Sequence, residues 1–278
     1  DPLWSRGLGD VYKRQTSGMN AFSFLAIPFF IFTGELMLYG GIADRIVAFA
    51  KSLVGHVRGG LGMSNVVACT LFGGVSGSPV ADVSAMGSVM IPMMKREGYH
   101  ADYAVNVTTH AALVGALMPT SHNIIIYTLA AGGKVSIAAL IAAGVIPALI
   151  LTLCNLAAAY FVARSRGYPA GTFPGWAIVG RSLVAATPGL FVVVLIIAGI
   201  LSGVFTATES AAVAVLYALA LTIFVYRSLT WDQFVRAASK AVKTTGVVLL
   251  LIGISATFGY LISFYGAVSY THLTLPTI

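Results

Sequence analysis

GGLGMSNVVACTLFGGVSGSPVADVSAMGSVMIPMM (Gly59–Met94) is apolar almost throughout, yet it begins beside Arg58 and ends against Lys95 and Arg96. Positive residues collect in the cytoplasmic loops of membrane proteins, so the stretch enters and leaves the membrane by the same face. Its roughly 36 residues give two helical arms of about 25 Å each, a little short of the roughly 30 Å hydrocarbon core. The middle, Gly73-Gly74-Val75-Ser76-Gly77-Ser78-Pro79, is a poor helix and a good tip. This pattern predicts a re-entrant helical hairpin rather than two full crossings. Irregular backbone at that depth survives only inside protein or beside a watery cavity.

The rest of the chain suits that setting. Of 278 residues, 58% are hydrophobic and only 9% charged, against about 25% charged in ordinary globular domains. Lys+Arg 16 and Asp+Glu 9 leave a net charge of +7, but too little charge remains to keep so apolar a chain in water. These numbers argue against a soluble enzyme, a nucleic-acid binder and a disordered chain, and predict an all-α polytopic membrane protein. Cys69 and Cys154 stand alone in apolar runs and read as small buried hydrophobes, not metal ligands or disulfide partners.

The basic clusters give a topology. Arg45, Lys51 and Arg58 form one, Lys95 and Arg96 another, then Arg164, Arg166 and Arg181, and last Arg227, Arg236, Lys240 and Lys243. With each cluster inside, Asn20–Leu38 crosses inward and Gly41–Val57 is an amphipathic helix along the inner surface. Ala101–Ala130 crosses outward, leaving Lys134 outside, and Val135–Ala163 returns. Leu183–Leu201 goes out and Thr206–Tyr226 comes back. Trp231–Lys243 reads as a second surface stretch, followed by a membrane segment over Thr244–Ala267. Thr206-Ala207-Thr208-Glu209 has the spacing of a capping box ahead of an apolar helix. Glu35 reads as an interfacial or buried polar contact, and His110 as packing polarity between helices.

Residues 1–15 and 269–278 lack the apolar density of the middle; DVYKRQ and SYTHLTLPT resemble translated adaptor sequence, with plain disordered tails as the alternative. The expected transporter domain is therefore 16–268. A second discontinuity, Met118-Pro119-Thr120-Ser121-His122-Asn123, interrupts the helix over Ala101–Ala130. Proline removes a hydrogen bond and clashes with the preceding turn, and broken helices point to the binding site of a secondary transporter. A faint repeat is also visible: LFGGVSG (Leu71–Gly77) and TFGYLIS (Thr257–Ser263) each follow a surface stretch. It suggests a first repeat over 20–165 and a partial second over 176–268.

LAIPFFIFTGELM (Leu25–Met37), the segment Gly55–Tyr99, MPTSHNIIIYTLAAGG (Met118–Gly133) and GVFTATESAAVAVLY (Gly203–Tyr217) together resemble the large membrane subunit of tripartite ATP-independent periplasmic (TRAP) transporters, the DctM-like family. The resemblance implies an ion-transporter-type fold with inverted repeats and an elevator-like moving body in the bacterial inner membrane. It implies sodium-driven import of an organic acid delivered by a periplasmic solute-binding protein, with a small four-helix membrane subunit as partner. Pro119-Thr120 stands where the family more often has two prolines, which leaves the substrate class open among dicarboxylates, sugar acids and similar anions. No organic cofactor is expected, only Na+ as coupling ion. A sodium–carboxylate symporter working without a binding protein shares the architecture. A membrane-embedded enzyme would need a nucleophile and base, a zinc pattern or paired carboxylates, and the sequence offers none. A passive pore is the remaining rival.

On that reading Ser76, Gly77 and Ser78 at the tip and Pro119, Thr120 and Ser121 at the break share one sodium ion, a hard cation that prefers oxygen ligands. Ser78-Pro79 is equally an N-cap with proline at the first helical position. The half-helices starting after Ser78 and Ser121 offer N–H groups to a substrate carboxylate, and His122 and Asn123 add hydrogen bonds. Asp82 is divided between support of the ion site and helix stabilisation, and Asn65 between the tip region and helix–helix glue.

Overall fold

A computed structural model describes residues 22–131 and 135–264, together with Lys13. The described residues form ten α-helices: α1 (Ala26–Tyr39), α2 (Ile42–Val54), α3 (Gly60–Ser76), α4 (Pro79–Arg96), α5 (Ala101–Ala112), α6 (His122–Ala130), α7 (Ile137–Ser165), α8 (Trp176–Leu201), α9 (Ala207–Ala220) and α10 (Trp231–Phe264). Four of them are long and apolar enough to cross a membrane: α7, α8, α9 with the turn that extends it to Val225, and α10. A fifth span results if α1 and α2, bent by 70° at Gly40-Gly41, count as one. The fold is all-α and polytopic, as the composition predicted.

Glycine sets the bends. Gly41 takes φ 72° between α1 and α2, and Gly59 takes φ 73° just before α3. α2 then lays Ile42, Ile46, Val47 and Ala50 inward and leaves Asp44 and Lys51 exposed. Its apolar face rests on α3 and α8, and Arg45 stacks over the Tyr226 ring at 3.7 Å.

α3 is the centre of the molecule. Leu61, Asn65, Val66, Cys69, Phe72 and Val75 are each at most 3% exposed, and α1, α2, α4, α5, α7 and α8 all pack against it. Small residues permit this: a Cβ at Gly73 would sit 2.9 Å from the Gly115 Cα, so the two backbones touch. Helix association in lipid relies on such close packing and on interhelical hydrogen bonds. By contrast α7 and α10 turn Ile150, Leu153, Leu250 and Leu251 outward. The capping box forms as predicted: Thr206 Oγ1 accepts from the Glu209 amide at 3.3 Å, and Glu209 Oε2 accepts from the Thr206 amide at 2.8 Å. Glu35 is buried and ion-paired with Lys240 of α10 at 3.2 Å.

Three expectations change. The surface stretch Trp231–Lys243 and the following membrane segment are one continuous helix, α10. Gly55, Gly59 and Gly60 break the chain between α2 and α3, whereas the corresponding Lys240–Val248 run holds one glycine and no proline, so nothing interrupts the ladder. The matching repeat break is therefore absent, and TFGYLIS lies inside α10. His110 is exposed on α5, where it lines an open crevice toward α7 instead of packing against a neighbouring helix; the buried polar contact there falls to Thr108. Cys69 is buried but Cys154 is exposed on α7, because in an apolar helix neither face is marked by composition. Lys134 and both terminal stretches, Lys13 apart, lie outside the described residues.

Candidate functional site

The hairpin exists and its tip is two residues long. α3 stops at Ser76, Gly77 turns the chain at φ 60°, and Ser78 is extended ahead of Pro79 at the start of α4. Glycine takes this left-handed conformation without steric cost. Ser78 Oγ accepts from the Ala81 amide at 3.4 Å, so the N-cap role is present. Ser76 Oγ accepts from the Ser78 amide at 3.2 Å and donates to Asp82 Oδ1.

The break in the second helix starts earlier than the proline. α5 ends at Ala112, and a 3-10 turn over Leu113–Leu117 tightens the chain before Met118 becomes extended. A residue before proline is pushed out of helical geometry by the proline ring, and Met118 is that residue. Ser121 Oγ accepts from the Asn123 amide at 3.3 Å and opens α6.

These two discontinuities meet. Thr120 Oγ1 donates to the Gly74 carbonyl at 3.1 Å, with the Gly73 carbonyl at 3.5 Å. Gly77 lies directly against the Thr120 carbonyl and the Ser121 amide, leaving no room there for a Cβ. Ser76, Asp82, Thr120 and Ser121 are all at most 3% exposed. Asp82 Oδ2 is buried without a hydrogen-bond partner, in the space that a Cβ at Gly73 or Gly115 would occupy. The junction thus gathers hydroxyls, backbone carbonyls at the end of α3 and at the helix break, and one unpaired carboxylate oxygen. Hard monovalent or divalent cations prefer this donor set.

Asn65 stands apart from the tip. Its Nδ2 donates to Thr108 Oγ1 of α5 at 2.6 Å, and its Oδ1 accepts from Cys69 at 3.5 Å. It lies eleven residues before Ser76, about 16 Å down the helix. Thr108→Val and Asn65→Ala, singly and together, are expected to show a coupling of about 0.6 kcal/mol in a thermal-denaturation cycle. His122 and Asn123 are also separate from the oxygen cluster. They line a cavity of about 640 Å3 closed on its other side by Val248, Ile252 and Ser255 of α10.

Gly34 and Gly115 escaped the sequence reading. A Cβ at Gly34 would be 3.1 Å from the Ser76 Cα, so α1 also abuts the tip. FTGELM and LVGALMP each place a lone glycine in an apolar helix, the one local signal of close backbone approach.

Comparison with known proteins bears on this geometry. The family described as "Tripartite ATP-independent periplasmic transporter, DctM component" matches residues 10–273. The sialic acid TRAP transporter large permease protein SiaM of Vibrio cholerae is 39% identical over 259 residues, 93% of this chain and 60% of that protein. The C4-dicarboxylate large permease protein DctM of Rhodobacter capsulatus is 35% identical, over 90% of this chain and 60% of its own length. The ectoine/5-hydroxyectoine large permease protein UehC of Ruegeria pomeroyi is 36% identical, over 92% and 61%. The chain therefore spans about 60% of the length of these relatives.

Proposed function

The chain belongs to the DctM-component family of TRAP transporters, and from that premise we propose that it is the large membrane subunit of a sodium-coupled secondary transporter in the bacterial inner membrane. It imports an organic acid handed over by a periplasmic binding protein, together with a small four-helix membrane subunit. The relatives named for sialic acid, C4-dicarboxylate and ectoine set the range of cargo: small, carboxylate-bearing and polar.

The observation that carries the reading is the junction of hairpin tip and broken helix, held by Thr120 on the Gly73 and Gly74 carbonyls. Sodium binds among Ser76, Gly77 and Ser78 on one side and Pro119, Thr120 and Ser121 on the other, with Asp82 supplying negative charge from behind. Binding there fixes the first amides of α4 and α6. The carboxylate of the cargo is then held by N–H groups near Ser78 and Ser121, and its hydroxyls or amide by His122 and Asn123. The body formed by α3 to α6 moves across the membrane relative to α2 and the N-terminal half of α10.

The test is uptake of labelled sialate, succinate and ectoine into proteoliposomes holding the whole permease, its small subunit and its binding protein. An inward sodium gradient is expected to drive accumulation of one of them. Ser76→Ala combined with Ser121→Ala is expected to raise the sodium concentration for half-maximal uptake at least tenfold. An unchanged sodium dependence would remove these residues from the ion site.

A further inference from the structure

A crevice of about 340 Å3 opens between α3, α5 and α7, away from the hairpin tip. At its mouth Arg166 and Asp102 form an ion pair at 2.8 Å, where α5 begins and α7 ends. This is the side of the basic clusters, the cytoplasmic side. Asn106, His110 and Asn155 line the crevice further in. His110 lies nine residues into α5 and Asn155 ten residues before the end of α7, about 14 Å from the surface and near the middle of a roughly 30 Å core.

The fold uses only part of the hydrogen-bonding capacity of these groups. The His110 Nδ1–H donates to the Asn106 carbonyl at 2.8 Å, and the ring lines the crevice. Asn155 Nδ2 donates to the His110 carbonyl at 3.3 Å. Asn106, one turn before His110, is exposed on the same side of α5. One turn along α7 from Asn155, Thr152 Oγ1 meets Thr70 Oγ1 of α3 at 3.1 Å. Thr70 precedes Ser76 by six residues, about 9 Å of helix. The polar lining of the crevice runs from the charged mouth past amide and imidazole to mid-membrane depth, and the Thr70–Thr152 pair, whose hydroxyls also bond the Val66 and Ala148 carbonyls of their own helices, lies between it and the tip.

Lipid tails do not suit this lining. Exposed polar groups at membrane depth are costly unless water or protein meets them, and they mark ion pathways. The apolar Ile150 and Leu153 of α7 are 56% and 64% exposed, and their composition is what a lipid-facing surface requires. We propose that the α3–α5–α7 crevice is water-filled and is the route by which the coupling cation passes between the hairpin tip and the cytoplasm. The cation's part in this rests on the proposed sodium coupling; the hydration does not.

The test uses the whole permease complex in inside-out vesicles, with Cys154→Ala and any other reactive cysteine removed. Asn106→Cys, His110→Cys and Asn155→Cys are exposed one at a time to a membrane-impermeant cationic methanethiosulfonate, with Leu153→Cys as the lipid-facing reference. Reaction at least tenfold faster than at position 153 is expected. Rates no faster than the reference would mean lipid or protein fills the crevice, and would overturn the proposal. In the second arm, reagent on Asn106→Cys is expected to slow sodium-driven uptake at least fivefold at saturating cargo, the unreacted variant transporting normally. Fast labelling with unchanged uptake would overturn the ion route. Wild-type uptake indifferent to sodium would defeat the functional reading, and the cation's route with it, while the labelling pattern still decides hydration.

Discussion

Gly77→Ala is expected to lower sodium-driven uptake at least a hundredfold while leaving the protein inserted and helical. Two effects combine at this position. Gly77 holds φ 60°, a conformation that L-residues with a side chain enter at a cost of about 1 kcal/mol. That alone is a modest penalty. The larger effect is steric: an added Cβ would overlap the Thr120 carbonyl group and stand 2.6 Å from the Ser121 amide nitrogen. Both obstacles are backbone, so neither moves aside as a flexible side chain would. The tip must withdraw from the break, and the Thr120 bond to the Gly74 carbonyl is lost with the shared oxygen cluster. Gly98→Ala separates the two effects, because Gly98 has φ 85° with nothing within 4 Å of the added methyl. Uptake by Gly98→Ala should stay within about twofold of wild type. If Gly77→Ala also transports normally, the junction is not the ion site.

Much of the junction was legible because its signals are local. Ser76-Gly77-Ser78-Pro79 specifies a helix stop, a left-handed turn and an N-cap within four residues, whereas Gly73-Gly74, read as part of the tip, continue α3. Pro119 forces its neighbour Met118 to be extended wherever the chain goes afterwards. The pairing of the two sites was harder, since Thr120 reaches Gly73 and Gly74 across more than forty residues, and no spacing rule encodes that distance. Helix rotation was the least legible property. In a soluble helix the apolar stripe shows which face is inside, but α7 is apolar nearly all round, so sequence could not say that Cys154 faces outward. His110 failed for a related reason: Thr108 and His110 are both polar neighbours on α5, and only the position of Asn65 on α3 shows which one is buried. The continuous α10 shows the limit of reading by analogy, because the charge pattern of the first surface helix was repeated without the glycines that bend it.

Asp82→Asn tests the charge at the centre of the site with the least change in shape. Asp82 is fully buried; Ser76 donates to one oxygen, and the other has no partner among the described residues. Its place in the first turn of α4 gives it the favourable end of that helix dipole, worth at most about 2 kcal/mol. Removing a carboxylate from water costs several kcal/mol even after relaxation, so the dipole and one hydroxyl do not offset it. In the proposed function a cation bound at the junction would supply the difference, and that would tie the carboxylate's charge to sodium occupancy. The asparagine variant keeps an acceptor for Ser76 and fits the space bounded by Gly73 and Gly115. Expected is a rise of at least tenfold in the sodium concentration for half-maximal uptake, equivalent to about 1.4 kcal/mol, with thermal stability in sodium-free buffer retained or improved. A purely structural Asp82 gives the opposite pattern, with sodium dependence within twofold of wild type and a lowered melting temperature as the helix loses its N-terminal charge. Asp82→Glu adds a useful contrast, since its charge is kept but the longer side chain has only the glycine-lined gap to enter. It should lose transport through misplacement, and a Gly115→Ala change, filling the same gap from the other side, should mimic it.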